Sequence, residues 1–98
     1  MARISAIVTC YNVEAYVATA MQSVVDAGFD DLELIVVDDG SSDMTRPVIE
    51  AVGTTLPAHV EFRPVFFSRN TPGGVATAAN AGLDMATGEV VVFIVQAY

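Results

Sequence analysis

The stretch Leu32-Glu33-Leu34-Ile35-Val36-Val37-Asp38-Asp39-Gly40-Ser41-Ser42-Asp43 decides the fold. A near-continuous apolar run from Leu32 to Val37 suits a strand buried on both faces of a parallel sheet. It gives way at once to two carboxylates, a glycine able to turn sharply, and Ser and Asp residues suited to capping a following helix. Ile4 to Thr9 and Val90 to Val95 are runs of the same kind. Val60 to Phe67 differs: Glu61 and Arg63 alternate with Val60 and Phe62, and Pro64 interrupts the run, which points to an edge strand.

Helical spacing fills the intervals. Val13, Tyr16, Val17, Ala20, Met21 and Val24 share one face, with Asn12 as the expected N-cap and Gly28 as the terminator. Met44, Pro47, Val48, Ala51 and Val52 form a shorter amphipathic helix, capped by Ser42 or Asp43. Val75, Ala78, Ala79, Gly82, Leu83 and Ala86 repeat the spacing, and that face of Ala and Gly implies close approach to the sheet. The reading is βαβαβαβ, an α/β fold with a mainly parallel four-stranded sheet and right-handed crossovers. Ligands of such sheets bind beyond the carboxyl ends of the strands. The last strand-like run stops three residues from the C-terminus, so residues 1–98 are expected to be one half of a larger domain.

Composition narrows the function. Twelve acidic residues face four Arg and no Lys, a net charge of −8, so phosphate-backbone binding to nucleic acid is excluded as a main activity. Charged residues are 16% of the chain and apolar ones 53%, which favours a packed core over disorder. Cys10 is the only cysteine; no intramolecular disulfide can form, and a reducing, cytoplasmic setting is expected. The N-terminus lacks a signal-peptide pattern, and no apolar run approaches the ~20 residues of a membrane span.

Two segments at strand ends could carry chemistry. Tyr11, after the first strand, offers a ring to stack on a planar base. Asp39, after the second, could accept from a base N–H or a ribose hydroxyl. Each segment alone is more often structural, as turn and cap chemistry, than functional, but Asp38 beside Asp39 needs something to offset two like charges. A third loop, Ser68-Arg69-Asn70-Thr71-Pro72-Gly73-Gly74, places two glycines before a helix and the one nearby cation, Arg69. The alternating Asp spacing of an EF-hand, the Gly-x-Gly-x-x-Gly fingerprint and a Walker lysine are all missing. Cys10 reads as a buried strand-end residue and His59 as a surface residue in a turn, so neither thiol catalysis nor a zinc cluster is expected.

Taken in order, Ile7 to Tyr16, Glu33 to Asp43, Asn70 with Gly73-Gly74, Asn80-Ala81-Gly82 and Ala86-Thr87-Gly88-Glu89 closely resemble the N-terminal part of family 2 glycosyltransferases. The resemblance covers essentially the whole chain. It implies a three-layer α/β/α, Rossmann-like GT-A half-domain and a nucleotide-diphospho-sugar partner, UDP-sugars being the commonest. By that resemblance Thr9 and Tyr11 line the nucleobase pocket, Asp39 contacts the base, and Asp38 supports the loop or the ribose. Arg69 and Asn70 approach the donor, and Asn80 matches the Asn of an Ala-Arg-Asn triplet whose Arg is here Ala79. The family holds Mg²⁺ or Mn²⁺ with an Asp-x-Asp; the corresponding positions here are Val95-Gln96-Ala97-Tyr98, without a carboxylate. No metal ligand and no catalytic residue is therefore assigned, and weak nucleotide binding at best, with no sugar transfer, is expected. The rival expectation is a catalytically silent assembly module that keeps the scaffold and self-associates through its open face. A receiver domain fits poorly, for want of a Lys.

Overall fold

The computed structural model describes residues 3–95. Seven elements follow in strict alternation: β1 (Ile4–Cys10), α1 (Val17–Asp26), β2 (Leu32–Asp38), α2 (Thr45–Gly53), β3 (Val60–Phe66), α3 (Val75–Met85) and β4 (Val90–Val95). The sheet order is β3-β2-β1-β4 and every pairing is parallel, with Ile7 beside both Ile35 and Phe93. The chain steps outward from β1 to β3, then returns to the far side of β1. The order therefore reverses at the carboxyl end of β1, where open α/β sheets place a ligand crevice.

The faces of the sheet carry different cores. Ala6, Val8, Leu34 and Val36 pack with Val17, Met21 and Ile49 under α1 and α2. Ile7, Ile35 and Val37 pack with Ala78 of α3 on the other face, giving three layers. That second core is small, and α3 lies close because a Cβ on Gly82 would overlap the Ile7 side chain.

Carboxylates do for α3 what apolar area does for the other helices. Glu33, wholly buried at the amino end of β2, accepts hydrogen bonds from the Ser5 hydroxyl (2.8 Å), the Thr87 N–H (2.9 Å) and the Arg63 guanidinium (2.8 Å). Arg63 also donates to the Met85 carbonyl at 2.9 Å, capping the last turn of α3. The Gly88 N–H donates to Ser5 Oγ at 2.8 Å. Thr87 and Gly88, part of the sequence motif Ala86 to Glu89, thus act at the amino ends of the strands, away from the expected site.

Several expectations shift at this level. Asn12 does not cap α1: it has φ +51°, and the helix begins at Val17 after a turn that buries Val13 but leaves Tyr16 exposed. Gly28, at φ +83°, does terminate α1 in the left-handed conformation. In α2 the inward stripe is Thr45, Val48, Ile49 and Val52, one residue out of phase with the expected face, and Met44 is exposed. In α3 the contact line runs through Ala78 and Gly82, so the bulkier Val75 and Leu83 overhang it and stay exposed. β3 occupies an edge, as Pro64 implied. β4, expected to be buried on both faces, forms the other edge and leaves Phe93 46% exposed. Between β4 and α1 lies an apolar groove of about 260 Å³ lined by Ala6, Val24, Phe29, Val92 and Ile94.

Candidate functional site

The carboxyl ends of β1 and β2 are joined by a hydrogen-bonded clasp. Backbone pairing continues past the strands, the Asp39 N–H donating to the Cys10 carbonyl at 2.9 Å. Beyond it the Asn12 N–H donates to Ser41 Oγ (2.9 Å), the Val13 N–H to Thr45 Oγ1 (2.9 Å) and the Glu14 N–H to an Asp43 carboxylate oxygen (3.3 Å). The Asn12 side-chain carbonyl accepts in return from the N–H groups of Ser42 (2.8 Å) and Asp43 (3.3 Å). The left-handed backbone of Asn12, tolerated by Asn better than by most residues, aims its amide across the gap. Neither expected cap is the N-cap of α2, which is Met44; Asp43, one residue earlier, accepts from the Thr45 N–H at 2.9 Å, and Ser42 belongs to the clasp. Burial works against the charged form of Asp43, but the bonds from Thr45 and from the Glu14 N–H prevail and lower its pKa.

The adjacent Asp38 and Asp39 offset their charges separately. Successive strand residues point to opposite faces, so the two carboxylates do not meet. Asp38 turns inward, where burial raises its pKa despite hydrogen bonds from the Ser41 hydroxyl and from the Ser41 N–H (3.3 Å). Asp39 is also wholly buried, but its partners come from the loop before α3. Oδ1 accepts from the Thr71 N–H (3.0 Å), and Oδ2 from Asn70 Nδ2 (3.2 Å) and Thr71 Oγ1 (3.4 Å). Gly40, at φ +74°, lets that loop close down: a Cβ there would overlap the backbone of Arg69 and Asn70.

Thr9 completes the arrangement. It is wholly buried near the end of β1, and Oγ1 has no hydrogen-bond partner among the described residues. A buried hydroxyl left in this state is uncommon and marks a place where a ligand or water atom is wanted. Thr9 and its register partner Val37 share the α3 face, and Asp39 engages the loop on that same face. Tyr11 follows, half-buried.

Thr9, Tyr11, Asp38, Asp39 and Asn70 therefore gather at the carboxyl ends of β1 and β2. Arg69 reaches the same loop by its backbone, while the residue itself is exposed. Asn80 does not join them: it stands on the exposed side of α3, midway along the helix. Sequence reasoning missed Asn12, Ser41, Thr45 and Thr71. A preference of Asn for positive φ and a Thr beside Asn70 were the available signals. Cys10, donating weakly to the Val37 carbonyl at 3.5 Å, has its thiol pushed up to about 12 by burial and by Asp38, Asp43 and Asp39, so it is inert. His59 is exposed just before β3, at the opposite end of the sheet.

The described residues do not fit a divalent cation. Asp38 and Asp39 are committed to protein donors, and no group of three His, Cys, Asp or Glu residues is placed to hold a metal among the described residues. Gln96, Ala97 and Tyr98, part of the expected metal-motif position, lie outside the described residues. No helix of the described residues is long and apolar enough to cross a membrane.

Known proteins resemble this chain in sequence and fold. A glycosyltransferase of Nostoc sp. is 39% identical over 92 residues, covering 94% of this chain and 27% of its own. The GalNAc(5)-diNAcBac-PP-undecaprenol beta-1,3-glucosyltransferase of Campylobacter jejuni is 35% identical, covering 96% of this chain and 29% of its own. The chain thus spans a little over a quarter of the length of these relatives. Among solved structures, S. aureus TarS 1–349 in complex with UDP-GlcNAc superimposes with a TM-score of 0.81 at 29% identity, over 95% of this chain and 26% of that one. The mannosyltransferase PcManGT of Pyrobaculum calidifontis, in complex with GDP-Man and Mn²⁺, gives 0.73 at 28% identity, over 96% and 27%. The family model for glycosyl transferase family 2 matches residues 5–94. With that match spanning the sheet, the clasp and the loop held by Asp39, the chain belongs to glycosyl transferase family 2.

Proposed function

We propose that this chain is the donor-nucleotide half of a glycosyltransferase domain and binds the nucleoside diphosphate of a nucleotide-sugar, with UDP the first candidate. The observation that carries this reading is the unpartnered Thr9 hydroxyl, buried at the strand end beside Tyr11 and on the Asp39 side of the sheet. A planar base stacked on Tyr11 would bring polar edges to Thr9 and Asp39, and Asp38 would hold the loop through Ser41. The neighbours solved with UDP-GlcNAc and with UDP support the nucleotide class. In the full reaction an acceptor hydroxyl would displace the nucleoside diphosphate from the sugar C1. Charge building on that leaving group needs a cation, and no group of three ligating side chains among the described residues is placed to supply one, so the chain is proposed to bind nucleotide in the cytoplasm without transferring sugar alone. In calorimetry with UDP and Mn²⁺, Asp39→Ala should weaken binding about 10–100-fold, the loss of a hydrogen bond to a charged group. Equal affinity in the variant would remove Asp39 from the base pocket.

One observation favours a second reading, a silent assembly module. Val90 and Val92 of edge strand β4 are exposed on the face of the apolar groove and Phe93 on the opposite, α3 face, and β4 carries neither proline nor charge to block edge pairing. Sedimentation at rising concentration should then show dimers; a monomer at all concentrations removes this reading.

A further inference from the structure

We propose that the loop over residues 68–74 is a latch that competes with the nucleobase for Asp39, and that it must leave the carboxylate for nucleotide to bind. This rests on the base-pocket reading above. Both Asp39 oxygens already accept from Asn70 and Thr71, and the residue is wholly shielded from solvent. A base N–H must come within about 3 Å of the carboxylate to bond it, so it cannot do so while the loop is down.

The latch is built to open. At one end the Phe67 N–H is tied to the Asp38 carbonyl at 2.9 Å, and at the other α3 is held to the sheet by Ala78 and Gly82. Between these anchors, Ser68, Arg69, Asn70, Pro72 and Gly73 are exposed. The side-chain bonds holding the loop are long, 3.2 and 3.4 Å, and all its donors to Asp39 are uncharged. Gly74, at φ +56°, supplies a pivot directly before α3. Such a segment opens locally at much lower free energy than the core. Apparent affinity for nucleotide is then the intrinsic affinity reduced by the open fraction, and by linkage nucleotide must raise that fraction.

Amide exchange on the full 98-residue chain, read by NMR with and without saturating UDP, tests this directly. The Thr71 N–H should be protected in the free protein and should exchange faster with UDP bound. Asn70→Ala should bind UDP about fivefold more tightly, the equivalent of one net hydrogen bond removed from the closed state. Thr71→Val, which keeps the N–H but loses the Oγ1 contact, should shift affinity the same way by less. Weaker or unchanged binding by both variants, with Asp39→Ala still defective, would overturn the latch and leave the base pocket standing. If Thr71 exchange slows with UDP, the loop closes over the nucleotide and the latch is likewise overturned. Asp39→Ala binding as the parent does, or no UDP binding by any form, would overturn the base pocket and the latch together.

Discussion

Replacing Glu33 with alanine is expected to remove about 3–5 kcal/mol of stability, the usual cost of leaving a buried charged network without one partner. The carboxylate is wholly buried and binds Ser5, Arg63 and both the N–H and the hydroxyl of Thr87, so truncation strands all of them. For a domain whose total stability is about 5–15 kcal/mol, that is a large share. Urea melts followed by far-UV circular dichroism measure it; a loss below about 1 kcal/mol would class the network with exposed ion pairs of little worth. Burial alone would raise the Glu33 pKa. The hydrogen bonds from the Thr87 N–H, Arg63, Ser5 and the Thr87 hydroxyl outweigh it and bring the carboxyl from 4.5 to about 2. Because the folded value is the lower one, this stabilisation is fully present above about pH 4.5 and is lost as pH falls through 2. Asp38 has the opposite sign: its raised pKa makes the charged form costly, and that cost is relieved as pH falls through the folded value. The gap between parent and Glu33→Ala should therefore narrow steadily on acidification below pH 4.5.

Gly40→Ala is expected to cost about 2–5 kcal/mol, combining left-handed backbone strain with overpacking. The new Cβ has no room, because the backbone of Arg69 and Asn70 lies against the glycine. Gly28→Ala is the matched control: φ is +83° there, but nothing lies within 4 Å of the added Cβ, so only the conformational cost of about 1–2 kcal/mol applies. The difference between the two variants measures the loop contact by itself. Exchange at the Thr71 N–H should accelerate in Gly40→Ala and stay slow in Gly28→Ala. Equal stability losses would mean that the loop gives way without cost.

Much of this was legible beforehand because period and position speak plainly in a parallel sheet. The apolar runs marked all four strands to within a residue, Pro64 marked an edge, and small residues at Ala78 and Gly82 marked a close helix. Illegible features were those decided by partners distant in sequence. Asn12 has the composition of an N-cap, yet its amide is claimed by Ser42 and Asp43, thirty residues on. Nothing local distinguishes those alternatives. Arg63 looked like the polar half of an edge alternation, but across the register it meets Glu33 and the end of α3. An uninterrupted apolar run also cannot tell a central strand from an edge: the same pattern describes β2 inside the sheet and β4 at its edge. Asn80 was carried over by motif, and the helix phase turned it outward.

The two buried carboxylates that pin α3 come from one strand and one face, Glu33 at its start and Asp39 just past its end. Six residues of extended chain span about 20 Å, while the eleven residues of α3 rise about 16 Å and need one turn at either side to reach both. Strand β2 is in effect a ruler against which the helix is cut to length. Inserting or deleting one residue in α3 would swing everything beyond it by about 100° and move it about 1.5 Å along the axis. Thr71 and Thr87 could then no longer both reach their carboxylates. Natural length variation in this half of the fold should accordingly collect outside the segment from Thr71 to Thr87, in connections that no carboxylate measures.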